Sequence, residues 1–266
     1  MNIQEYISVG ENEKPLDRIV TDGGFVGIFR RIACIGDSLS SGEFESTKEN
    51  GTRRYHDFYE YSWGQYIARS TGSTVYNFSC GGMSAKAYPD FADQHGYFNN
   101  DKAASAYIVA LGVNDITAHL RGEFELGSIE DVDPADYKNN KPTFAGYYGA
   151  ILSRVKLLQP RARIFLVSPL CHGDERDEKR KAVRDILEGM TSLFRHTYLL
   201  DMYTYAPKHD AEYCKTYRLG HLTPAGYIVT ARMIESYIDY IIRKNPDDFK
   251  QVPFIGTDLY YEPEED

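Results

Sequence analysis

Short runs of apolar and β-branched residues alternate along the chain with longer stretches whose apolar positions recur at helical spacing. The short runs are Ile32–Ile35, Thr74–Phe78, Ala106–Leu111, Ile164–Val167 and Tyr198–Leu200. Each is almost continuously apolar, which predicts parallel strands covered on both faces rather than a sheet with one wet side. Helices are predicted between them, over residues 61–70, 143–158, about 177–194, and from Pro224 onward. In the second of these, Tyr147, Ile151, Val155 and Leu158 fall near helical spacing. In the last, Ile228, Ala231, Ile234, Ile238 and Ile241 make one stripe. Thr223 as N-cap with Pro224 at the first helical position is a start signal, and Asn245-Pro246 a stop. This alternation predicts a three-layer α/β/α sandwich around a parallel sheet of about five strands, joined by right-handed crossovers.

One domain over residues 1–266 is expected, with three segments outside the alternation. They are an N-terminal extension (1–28), a polar insert (44–59) with a turn signal at Asn50-Gly51, and a C-terminal tail (249–266) that ends in acidic residues. The insert and the long 118–141 connection are expected at the C-terminal edge of the strands. Open α/β sheets bind their ligands at that edge, so both are candidates for the rim of a pocket.

Composition narrows the partners. A formal net charge of −9 argues against nucleic acid or an anionic membrane surface as the main partner, because both reward basic patches. No apolar stretch approaches the roughly 18 residues needed to span a bilayer, and no integral membrane segment is expected. The N-terminus lacks a basic start followed by an apolar run, so a cytoplasmic location is expected, although a secreted chain trimmed of its signal would read the same. The four cysteines, Cys34, Cys80, Cys171 and Cys214, show no CxxC pairing and read as free thiols. The histidines show no metal-ligand spacing, so neither metal nor cofactor is expected. The 22 tyrosines suit sugar or interface contacts, but tyrosine is equally a good core residue.

Three strands run into loops of unusual composition. The first ends in Gly36-Asp37-Ser38, the second in Cys80-Gly81-Gly82, the third in Gly112-Val113-Asn114-Asp115. Taken singly, each has a bland reading: a turn or N-cap serine, a tight glycine turn, a turn asparagine. A phosphate-binding loop at Ser38 is another reading, though Asp37 would repel the anion. Together with His221 they offer a hydroxyl, a backbone N–H, a side-chain amide and a base, all expected at one edge of one sheet. Acyl transfer at neutral pH needs these parts.

In this set and order the sequence resembles the SGNH hydrolases, the GDSL-type esterase/lipase family. Gly36-Asp37-Ser38-Leu39 is similar to the first family block, Asn77–Ser84 to the second, Gly112–Asp115 to the third and His221–Tyr227 to the last. The resemblance implies a flavodoxin-like sheet, Ser38 as nucleophile, His221 as base, and the Gly82 N–H, Asn114 amide and Ser38 N–H as oxyanion donors. It also implies an ester substrate. A short acyl group, such as an O-acetyl, on a carbohydrate or other small molecule is expected, because the chain has no amphipathic lid and its first insert is polar and aromatic. A lysophospholipase-like lipid acylhydrolase and a catalytically degenerate carbohydrate-binding protein are the alternatives. The oligomeric state is not legible.

One position departs from the family pattern. Three residues before the histidine the family usually carries Asp, and here stands Arg218, which cannot accept a hydrogen bond. The support of His221 is therefore open between a carboxylate elsewhere (Asp201, Asp210 or Glu212), a backbone carbonyl, and loss of catalysis.

Overall fold

A computed structural model describes residues 9–261. Five parallel strands form the main sheet: β1 (Arg31–Gly36), β4 (Thr74–Ser79), β5 (Ala106–Ala110), β6 (Arg163–Val167) and β7 (Thr197–Leu200). They lie in the order β4-β1-β5-β6-β7, with Ile32 opposite both Val75 and Ala106. All five expected strands are present. Their near-continuous apolarity has the expected cause, since successive residues feed opposite cores. Ala33, Ile35, Tyr107 and Val109 face one core, while Ile32, Cys34, Ala106 and Ile108 face the other.

The first core is closed by α3 (Tyr88–His95), α5 (Phe144–Leu158) and α6 (Asp177–Leu193), the second by α2 (Trp63–Thr71) and α9 (Pro224–Lys244). The helix starts follow the capping chemistry. The side chains of Ser62, Thr143 and Thr223 accept from the backbone N–H three residues on, in Gln65, Gly146 and Gly226 respectively. The helices α3 and α4 (Val113–Leu120) were not expected; both are short and sit inside stretches read as loops. The architecture is a three-layer α/β/α sandwich.

Chain direction reverses between β1 and β5: from β1 the chain crosses to β4 on one side, and from β5 to β6 on the other. Ligands bind at such a switch point, outside the strand C-termini. Ser38 opens α1 (Ser38–Ser41) directly after β1, and Asn114 lies in the first turn of α4 directly after β5.

Three segments lie outside the alternation, and of the C-terminal tail, whose residues 262–266 lie outside the described residues, Phe249 and Val252 pack into the second core. The polar insert is an antiparallel hairpin, β2 (Glu43–Thr47) with β3 (Arg53–Asp57), turned at Gly51 with φ 81°. The N-terminal extension, from residue 9, runs along the outer side of α9. There Ser236 Oγ accepts from Val20 N–H and Asp239 from Phe25 N–H, while Arg243 pairs with both Asp239 and Glu13. This explains why α9, predicted as a one-sided stripe, also buries Ser236, Asp239 and Arg243, whereas the buried Glu235 accepts from Ser70 Oγ on α2. Of the predicted stripe, Ala231, Ile234, Ile238 and Ile241 are buried and Ile228 is half-buried.

Candidate active site

The site is assembled from four stretches distant in sequence. Asp37 caps α1 by accepting from Leu39 N–H, which fixes the turn that presents Ser38. His221 lies on a two-residue strand β9 (His221–Leu222) that pairs with β8 (Arg218–Leu219) around Gly220. His221 Nε2 is 3.0 Å from Ser38 Oγ. The opposite ring nitrogen, Nδ1, donates to Glu45 Oε1 at 2.8 Å. Serine hydroxyl, imidazole and carboxylate therefore form one hydrogen-bonded chain.

Glu45 corrects the expectation for what holds His221. None of Asp201, Asp210 or Glu212 is its partner. Asp201 is buried against Arg184 and caps α7 (Met202–Tyr205) through Thr204 N–H. Asp210 caps α8 (Ala211–Tyr217), and Glu212 is exposed in the first turn of that helix. No backbone carbonyl is needed either. Arg218, at the position where the resemblance would place Asp, turns its Nε–H onto Gly220 O.

The carboxylate comes instead from the hairpin. Period-two alternation along β2 sends Glu43 and Glu45 to one side, toward His221, and Phe44 to the other, where it packs on Phe58, Tyr61 and Tyr227. Gly220 makes the approach possible: at φ 73°, a Cβ there would lie 2.0 Å from Glu45 Oε1. Glu45 Oε2 is also 3.7 Å from the exposed Arg53 guanidinium.

The oxyanion candidates lie on the other side of Ser38. Gly82, at φ 73°, faces open space where a Cβ would point. Asp115 is fully buried and accepts from Ala85 N–H with both oxygens, which anchors the loop carrying Gly82. Asn114 Nδ2 donates to Met83 O at 2.9 Å and lies 3.4 Å from Asp37 Oδ2. Hydrogen bonds link the four residues singled out in the sequence, directly or through their chain neighbours. Ser38 touches His221, and Asn114 joins the residue before Ser38 to the residue after Gly82. Burial raises the Asp37 carboxyl to about 7 and that of Asp115 to about 6.

The surroundings are acidic. Asp57 accepts from Ser41 Oγ, and Glu43 Oε1 stands 3.1 Å from His221 Nε2. Tyr227, in the first turn of α9, donates to Glu43 O and so ties the hairpin to the histidine segment. Behind the nucleophile turn is a cavity of about 100 Å³ whose lining includes Asp37, Leu39, Ser40, Val113, Leu170 and His209. Ser40 Oγ and both ring nitrogens of His209 are buried there without protein partners. Among the described residues no three His, Cys, Asp or Glu side chains are grouped to hold a metal ion, and no helix is long and apolar enough to cross a membrane.

The fold is a parallel α/β sandwich that carries a serine, a histidine hydrogen-bonded to it and an asparagine amide at its switch point. The profile of the GDSL-like lipase/acylhydrolase family matches residues 34–229, and the chain belongs to that family, whose members hydrolyse ester bonds. A comparison with curated proteins finds no match. Among solved structures, a protein from Lactobacillus plantarum is similar at a TM-score of 0.58 and 18% identity, over 80% of this chain and 97% of that one. A family two carbohydrate esterase from Clostridium thermocellum, solved with cellohexaose, gives 0.55 and 17%, over 82% of this chain and 65% of that one. The acetyl xylan esterase AlAXEase gives 0.53 and 13%, over 78% and 99%. At these identities the likeness is one of fold.

Proposed function

We propose that the protein is a serine esterase working through a covalent acyl-enzyme, with Ser38, His221 and Glu45 as its triad. The hydrogen-bonded chain from Ser38 Oγ through the imidazole to Glu45 Oε1 carries this reading. Ser38 Oγ attacks the ester carbonyl while Nε2 takes its proton, and Glu45 stabilises the imidazolium and keeps the Nδ1–H tautomer. The proton then passes from Nε2 to the departing alkoxide. Water repeats the sequence on the acyl-enzyme and returns Ser38 with a free acid. The Gly82 N–H, the Ser38 N–H and the Asn114 amide serve the oxyanion, the Asn114 donor by giving up its long contact to Asp37.

The substrate we propose is a short acyl ester of a carbohydrate. Tyr55 is more than half exposed and lies edge-on to the His221 ring at 6.0 Å between centroids. Aromatic faces beside the leaving-group position suit sugar rings. The cavity behind Ser38 has room for only a few heavy atoms. The carbohydrate esterases among the structural neighbours point the same way.

A fluorophosphonate probe tests the chemistry: it should tag the wild type at Ser38 and leave Ser38→Ala untouched. A p-nitrophenyl ester series tests the acyl group. Its kcat/KM should peak between about two and four carbons, and a peak at about eight or more would replace this reading with a lipid acylhydrolase.

A further inference from the structure

The hairpin brings two carboxylates to His221, and the triad uses only one. Glu43 Oε1 lies 3.1 Å from Nε2, the nitrogen that must take the Ser38 proton, and Ser38 Oγ lies 3.0 Å from the same atom. Because Nδ1 already donates to Glu45, Nε2 has a single in-plane valence left. As a lone pair it accepts from Ser38, and an ionised Glu43 gains nothing from it. As an N–H it belongs to a positively charged ring that the Glu43 carboxylate, 3.1 Å away, attracts, and Ser38 loses its base.

We infer that Glu43 is a positioning residue whose carboxylate pairs with the protonated His221 ring and so opposes its use by Ser38 as a base. This rests on the esterase reading above. The geometry keeps Glu43 in place. Its carbonyl accepts from Tyr227, its residue faces Asp57 across the hairpin, and a Cβ on Gly81 would meet its Oε2 at 2.2 Å.

The charged and titratable groups facing Glu43 come from every element around it. They are His221 on β9, Glu45 on its own strand, Asp57 on β3, Cys80 beyond β4, Asp37 at the end of β1, and Tyr227 on α9. His221 is the group among them that can carry positive charge. Burial, then Asp57 and Glu45, raise the Glu43 carboxyl while His221 lowers it. During turnover the same carboxylate faces the imidazolium formed when Ser38 attacks, so Glu43 shifts the working pH upward without being the triad acid.

The test is a pair of pH profiles, from about pH 5 to 10, for wild type and Glu43→Gln: kcat/KM on a short p-nitrophenyl ester, and the rate of fluorophosphonate labelling at Ser38. A neutral amide cannot hold the imidazolium proton. The acidic limb should therefore move to lower pH by about half a unit or more in both measurements, with KM changed less than about twofold. Glu43→Asp keeps the charge but withdraws it from Nε2, so its limb should fall between the two; it also covers the case in which Glu43→Gln does not fold. A limb that stays within about 0.2 unit, or moves to higher pH, overturns the inference, as does a rise in KM with the limb unmoved, which would assign Glu43 to the leaving group. A wild type that takes no label at Ser38 at any pH sinks the esterase reading itself, a separate outcome.

Discussion

The hairpin and the N-terminal extension, a strap along α9, both lie outside the strand–helix alternation, and the fold uses them differently. Both bring carboxylates to a cation or a base. The strap puts Glu13 on Arg243, whose side chain is only 1% exposed, and so allows the outer face of α9 to be polar and buried at once. The hairpin puts Glu45 and Glu43 on an imidazole at the open edge of the sheet, where all three side chains keep some contact with water. In the strap, removing one partner leaves a buried charge and the cost is stability. In the hairpin, removing one partner leaves a folded protein with a misdirected base. Same side chain, different depth.

That contrast can be broken at several points. The largest effect should be Glu45→Gln, which should lower kcat by about 10²- to 10⁴-fold through loss of the imidazolium partner, with the thermal midpoint moved by less than about 2 °C. A kcat within about threefold of wild type would remove Glu45 from the triad. Gly220→Ala should act through the same carboxylate, since the new methyl takes the space of Oε1. A fall in kcat of roughly tenfold or more is expected, with KM nearly unchanged.

On the strap side, Arg243→Ala should cost about 3 kcal/mol or more by leaving buried carboxylates unpaired, seen as a lower denaturation midpoint. Specific activity well below the transition should hold. Loss of activity in the still-folded variant would show that strap and site are coupled after all. Asp201→Asn separates the two expectations about His221. It removes the Arg184 ion pair, so it should lower stability by about 2 kcal/mol while leaving kcat within about threefold.

The smallest effect should come from Glu235, a neighbour of the strap, whose carboxyl burial raises to about 7 from 4.5. A raised carboxyl favours the fold fully below its unfolded value, and that contribution is lost as the pH rises through about 7. Glu235→Gln keeps an acceptor for Ser70 and never ionises. The variant should match wild type near about pH 5 and exceed it by at most about 2 kcal/mol above about pH 8, measured by urea denaturation at both pH values.

The sequence was legible where the signal is local. Apolar runs marked the five strands because both faces of each are covered, and Thr223 marked a helix start because capping is settled within one turn. The loops after β1, β4 and β5 and the histidine segment could be placed together because a parallel sheet gathers its strand ends at one edge. Glu45 was missed because its role depends on a contact across 176 residues, between a hairpin and a two-residue strand. The available clue was the alternation Glu43-Phe44-Glu45 just after Gly42, ahead of an Asn-Gly turn, which reads as a hairpin with both acids on one face. Attention to Asp201, Asp210 and Glu212 followed nearness along the chain, and each of these has a capping, ion-pairing or surface place instead.

The span between Glu45 and His221 also matters for biosynthesis. Ser38 and Glu45 leave the ribosome well ahead of His221, so on the proposed triad a nascent chain has no base until β9 has been made and has docked. A product cut short before His221 would, on that proposal, be inert toward esters, however well its sheet had formed.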